Sequence, residues 1–150
     1  MKQWKRVAMV GLLTTATVAG YAQWTPPADD VPAYHAAPPL KAATLPPILS
    51  GTQLTGPNFT HPWQVAVYKM AAKDGRVLYQ LPCYCRCDKG LGHQSLRSCF
   101  EGLHGAECST CAKEGVYAYQ MTMKGKTVKQ IREGIANKEY LSIDLDSITS

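Results

Sequence analysis

Cys108–Lys124 reads CSTCAKEGVYAYQMTMK. Its spacing predicts a helix that begins near Cys108 and stops at Gly125, with Val116, Tyr119, Gln120 and Met123 on one face and Tyr117 and Met121 on another. The next residues repeat the helical signal. Thr127 and Gln130 have the Thr-x-x-Gln form of a capping box, and Val128, Ile131 and Ile135 follow at helical spacing. A last helix ending near Asn137 is the reading.

Upstream, HQSLRSCFEGL (93–103) places Leu96, Cys99, Phe100 and Leu103 at i, i+3, i+4, i+7, which predicts a short helix. Further back, Thr60 is suited to cap a helix and Pro62 to occupy its first turn. Trp63, Val67, Met70 and Ala71 then form a stripe that Gly75 is expected to end. RVLYQLP (76–82) carries the chain on to Cys83. The tail YLSIDLDSITS (140–150) alternates apolar and polar, as a lone strand or a loose end, and one strand makes no sheet. The fold class expected is all-α: a small, cysteine-rich helical domain over 61–140, with a tail at 141–150. About 80 residues give a marginal core, and domains of that size commonly add disulfides or a metal.

Residues 1–22 have the pattern of a secretory signal peptide. Lys2, Lys5 and Arg6 form a basic n-region, Val7 to Ala19 is uncharged and apolar, and Gly20 and Ala22 suit a cut before Gln23. The stretch is short for a membrane span, so no span is expected after cleavage. Residues 23–60 hold eight of the ten prolines and read as an extended, partly disordered linker in which His35 is an ordinary solvated side chain. Localisation is therefore expected to be extracytoplasmic, periplasmic or secreted. The whole chain carries +5, and loss of the three basic residues of the signal leaves +2. That charge makes no case for a nucleic-acid partner or an acidic membrane surface.

All six cysteines fall between Cys83 and Cys111, as C-x-C-x-C-x₁₁-C-x₈-C-x₂-C. Three chemistries compete for them. The first is a soft metal ion, Zn or Cu(I), held by Cys83, Cys85, Cys87, Cys108 and Cys111 with His93 as nitrogen donor, since thiolate-rich sites suit both ions. The second is thiol–disulfide exchange with a partner protein. CSTC would sit at a helix N-terminus, where amide N–H groups and the helix dipole favour the thiolate. The third is structural disulfides, which an oxidising compartment preserves; six cysteines allow 15 pairings. Cys99 reads as a buried thiol or disulfide partner, His104 as surface in a glycine-rich turn, and Arg86 as a cation that lowers neighbouring thiol pKa values. Haem attachment through C-x-x-C-H is excluded because Ala112 follows Cys111. No nucleophile elbow, phosphate loop or patterned carboxylate pair is present, so no catalytic residue is assigned.

LPCYCRC (81–87), GHQSLRSCF (92–100), the C-x-x-C pair and YQMTMKGKTVKQIR (119–132) together resemble the bacterial PCYCGC-motif proteins, also called the CYCXC family. The resemblance covers about Trp63 to Tyr140. It implies an exported protein, often a lipoprotein in that family, with selenocysteine at a motif cysteine position in some members. That usage implies redox or soft-metal chemistry at Cys83, Cys85 and Cys87 rather than structural disulfides alone. Two departures stand out. Arg86 replaces the motif glycine, so the backbone there need not be left-handed and a cation neighbours the thiols, and there is no lipobox cysteine near the signal.

Overall fold

The computed structural model describes residues 30–41 and 44–149; the signal peptide expected at 1–22 lies outside them. The described residues are helical and contain no strand. Five α-helices run in the order α1 (Pro62–Leu78), α2 (Cys87–Leu91), α3 (His104–Glu107), α4 (Ser109–Met123) and α5 (Val128–Ala136). Short 3₁₀ segments fill the joints at Gly51–Gln53, Leu96–Phe100, Glu139–Ser142 and Leu145–Ser147. The all-α reading of the sequence holds.

The central pair is α1 against α4. Helix α1 starts with Pro62 at its first position, where a missing N–H costs nothing. Its cap is His61 rather than Thr60: the His61 N–H donates to Gln64 Oε1 at 2.8 Å. The expected stop at Gly75 is only a kink. Asp74 leaves helical geometry (φ −111°, ψ 15°), and the helix resumes to bury Leu78. Gly75 serves close approach instead, because a Cβ there would sit 3.2 Å from Ile48 Cδ1.

Helix α4 is buried nearly all round from Cys111 to Ala118, so its core surface is not the face expected from periodicity. Of that face only Val116 is buried, and Met123 is 69% exposed. The cause is that α1, α3, α5 and the 3₁₀ segments Glu139–Ser142 and Leu96–Phe100 all pack against α4, the last through Phe100. Its ring is fully buried between two glycines: a Cβ on Gly105 would meet Phe100 Cδ1 at 2.6 Å, and one on Gly115 would meet Cζ at 2.8 Å. Tyr68 of α1 packs edge-on against the same ring, with centroids 5.3 Å apart, and donates its hydroxyl to Gly102 O at 2.5 Å. The segment carrying Phe100 is a 3₁₀ helix, which keeps Leu96, Cys99 and Phe100 buried but leaves Leu103 41% exposed.

Helix α5 follows its sequence signal closely. Gln130 N–H donates to Thr127 Oγ1 at 3.3 Å and Thr127 N–H donates to Gln130 Oε1 at 3.0 Å, which is the expected capping box. Ile131 and Ile135 are buried as predicted. The tail is neither strand nor loose end. Its 3₁₀ turns bury Tyr140 and Leu145 against the body.

The proline-rich segment is mostly without regular structure, and several of its described residues lie against the helices. Pro32 is fully buried, and His35, expected to be solvated, stacks on Tyr79 with centroids 3.8 Å apart. Arg97 donates to Pro46 O at 2.8 Å and Leu49 N–H to Phe100 O at 3.0 Å. No described helix is long and apolar enough to cross a membrane.

Burial also sets a pH response. Asp74 Oδ2 accepts from Thr122 Oγ1 at 3.0 Å, yet burial pushes this carboxyl up to about 6. Between roughly pH 4 and 6 the unfolded chain loses this proton first. Stability therefore falls as pH rises through that window and levels off above it. Asp74→Asn is expected to remove that fall, on the order of 2 kcal/mol. Chemical denaturation of the two proteins at pH 4.5 and pH 7 checks it: the variant should gain relative to the parent at the higher pH, and a constant difference would contradict the account.

Candidate metal centre

The six cysteines reach one point from four places in the chain. Cys83 and Cys85 lie in the turn after Pro82, and Cys87 opens α2. Cys99 comes from the Leu96–Phe100 segment, while Cys108 is the N-cap of α4 and Cys111 lies in its first turn. The turn is held in register by Leu96 N–H donating to Leu81 O at 2.8 Å. All six are free thiols.

Their sulfurs form one contiguous cluster. Cys83 Sγ lies 3.3 Å from Cys111 Sγ and 3.4 Å from Cys85 Sγ, and Cys85 Sγ lies 3.4 Å from Cys111 Sγ. Cys87 and Cys99 meet at 3.5 Å. Two histidines border the cluster: His93 Nδ1 is 3.4 Å from Cys99 Sγ, and His104 Nε2 is 3.5 Å from Cys85 Sγ. The two rings meet edge to face, 5.3 Å between centroids.

Two sets of four donors are close enough to hold an ion. One is Cys83, Cys87, Cys99 and Cys111, all buried; the other is Cys85, His104, Cys108 and Cys111, of which only Cys111 is buried. In each set the donor atoms all lie within 4.8 Å of one another. Zinc–sulfur bonds of about 2.3 Å imply tetrahedron edges of roughly 3.8 Å, so donor sets of this size fit a four-coordinate ion. A depression lined by Cys85, Cys87, Leu91, His104, Glu107 and Cys108 opens the site to solvent.

Crowding decides the electrostatics. Cys85 is held well below the ordinary thiol range by hydrogen bonds from Cys108, Cys111 and Cys83, and Cys87 by those from Cys111, Cys83 and Cys85. Cys99 is pulled down by Cys111 and Cys83, whereas Cys111, the common donor, is pushed up by Cys108, Cys83 and Cys85. Burial lowers both histidines, but His93 is raised overall by its hydrogen bond to Cys99, and His104 by its bond to Cys85. The cluster thus shares protons, and full ionisation needs a cation at its centre. Glu114, one turn beyond Cys111, is fully buried, and burial pushes it up to about 8. Its Oε1 accepts from Tyr84 N–H at 2.9 Å, which pins the cysteine turn to α4.

Arg86 does not act as its position beside the thiols suggests. Its guanidinium is engaged by Asp30 (3.0 Å) and Asp88 (3.5 Å). Its backbone is left-handed (φ 65°) although no glycine stands there, the geometry that the motif glycine would suit. A non-glycine residue pays about 1–2 kcal/mol for it. Arg86→Gly is therefore expected to leave global stability within about 1 kcal/mol, relieving strain while losing partly exposed ion pairs. It should also free the segment around Asp30, seen as faster amide exchange at Ala33, which donates to Asp88 Oδ2 at 3.3 Å. A loss of more than about 2 kcal/mol would show that the arginine side chain, not the backbone shape, sets this turn.

Of the residues singled out from sequence, Cys83, Cys85, Cys87, Cys108 and Cys111 come together in the two donor sets, and His93 lies at the edge, against Cys99. Cys99 and His104, read from sequence as core and surface, stand within the sets. A signal for His104 exists: His104, Cys108 and Cys111 have i, i+4, i+7 spacing. Nothing in the spacing of Cys99 distinguishes a ligand from a core thiol. Glu114 carries no sequence signal.

The model of a family described as proteins of unknown function with a PCYCGC motif matches residues 57–142, and the chain belongs to that family. No curated protein and no solved structure matches the chain.

Proposed function

We propose that this member of the PCYCGC-motif family is an exported metal-binding protein, whose cysteine cluster holds a soft ion of the zinc or Cu(I) class. One observation carries the reading: six free thiols from four chain segments converge on one point with two imidazoles at its edge. Packing alone does not require this. Six thiols that share protons in a buried space are a costly core, and a bound cation converts that cost into binding energy. Cys83, Cys85, Cys87, Cys99, Cys108 and Cys111 would supply sulfur, and His104 and His93 are the nitrogen donors within reach. The ion would cross-link the turn after Pro82, the Phe100 segment and the start of α4. The signal-like residues 1–22 support export.

Thiol–disulfide exchange is the competing activity. It needs an attacking thiol open to a partner, and the half-buried Cys85 and Cys108 are the available ones. Melting the full chain with and without a chelator under reducing conditions, followed by insulin-reduction turnover, separates the two. Metal binding predicts a chelator-dependent fall in Tm and no turnover. An unchanged Tm together with turnover lost in Cys108→Ser would replace the metal reading with exchange.

A further inference from the structure

The donor sets share Cys111 and differ in exposure, so we propose that the cluster is binuclear: two divalent d¹⁰ ions of the zinc class, bridged by the Cys111 thiolate. This rests on the metal-binding reading above and adds the number, charge and inequivalence of the ions. The inner ion takes Cys83, Cys87, Cys99 and Cys111, and all four residues are buried. The outer ion takes Cys85, His104 and Cys108 together with the same Cys111. Cys85, His104 and Cys108 also line the depression beside the cluster, which only Cys87 of the inner set reaches.

Two arguments support two ions rather than one. Each set holds four donors, the number a closed tetrahedral site needs, so neither set is a spare for the other. Cys111 is positioned to bridge: its sulfur is 3.3 Å from Cys83 Sγ of the inner set and 3.4 Å from Cys85 Sγ of the outer. Charge then selects dications. Six thiolates around two dications leave a net charge of −2, whereas two monovalent ions would leave −4 in a largely buried space. Binding is balanced by release of the protons that the six thiols and His104 still carry, so that all six bind as thiolates and His104 as the neutral imidazole.

The geometry also assigns different behaviour to the two ions. The inner ion is enclosed by four buried residues, of which only Cys87 reaches the depression. The outer ion faces the depression, beside Glu107 and His104, and exchanges with chelators or acceptor sites. The inner ion is structural and the outer one is exchangeable.

Zinc titration of the reduced full chain, with a colorimetric chelator as competitor, tests this, with native mass spectrometry reading the stoichiometry. Two zinc ions per chain are expected, removed by chelator in two phases of different rate. Cys108→Ser and His104→Ala should each bind a single ion and lose the fast phase. Cys108 is the α4 N-cap, a position serine fills well, so its variant is expected to keep its fold. With ¹¹³Cd in place of zinc, two resonances split by coupling through the shared sulfur are expected in the parent and one unsplit resonance in either variant. One ion per chain in the parent, or two uncoupled resonances, overturns the binuclear arrangement and leaves metal binding standing. No ion bound to the reduced parent overturns both.

Discussion

Cys111→Ser is expected to abolish metal binding and to lower Tm by more than about 15 °C, the largest effect of any single substitution in this chain. Cys111 is fully buried and belongs to both donor sets. Serine is a hard, shorter donor that a soft ion avoids, and it leaves a hydroxyl in a site built for sulfur. Structural zinc sites contribute roughly 10–16 kcal/mol of apparent binding energy, comparable with the whole stability of a domain, about 5–15 kcal/mol. Losing the shared ligand therefore threatens the fold itself, while Cys108→Ser removes only a half-buried donor. Metal content by elemental analysis and melting followed by circular dichroism check it. A variant that retains metal and melts within about 3 °C of the parent would show that Cys111 is a core thiol and nothing more.

Phe100→Ala is expected to destabilise the domain by about 3–5 kcal/mol and to weaken metal binding, although Phe100 offers no ligand. The ring fills the space that Gly105 of α3 and Gly115 of α4 leave open, and Tyr68 packs against its edge. Residue 100 follows Cys99 directly, α3 begins with His104, and Cys108 caps α4. Removing the ring opens a cavity and loosens the segments that bring Cys99, His104 and Cys111 together. Phe100→Leu, which keeps most of the apolar volume, should recover a good part of both losses. Denaturant melts and competitive zinc titration would show the pattern. A variant that loses stability but keeps its full metal affinity would mean that the cluster assembles independently of this packing.

The sequence made the helices legible wherever a local chemical signal accompanied the period. Thr127 and Gln130 marked the start of α5, and Gly125 (φ 73°) marked the end of α4. It misled where tertiary packing overrode the pattern. Gly75 looked like a stop but is a point of contact with Ile48, and Met123 shared a periodic face with Val116 but lies exposed at the end of α4, while Gly115, not a large residue, meets Phe100. The proline-rich segment could not reveal its docking, since Pro32 and His35 find their partners only in the folded body.

The site was legible in part for a similar reason. Spacing exposes candidate ligands that are neighbours in the chain, such as Cys83, Cys85 and Cys87 or Cys108 and Cys111. Cys99 arrives from a separate segment, on a 3₁₀ turn whose inward face also carries Leu96 and Phe100, so its apolar neighbours disguise it. The left-handed backbone at Arg86 is a further case: arginine hides a geometry that the family's glycine would have announced.

The central claim is that the thiols hold metal rather than one another. Mass spectrometry of the full chain, isolated without added reductant, tests it most directly when recorded first under native conditions and then denatured with thiol alkylation. The account predicts a native mass with bound metal, two zinc-class ions when fully loaded, and six alkylated cysteines after denaturation. A metal-free native mass with cysteines refractory to alkylation and a deficit of about two daltons for each pair would contradict it, and would make the cluster a set of disulfides.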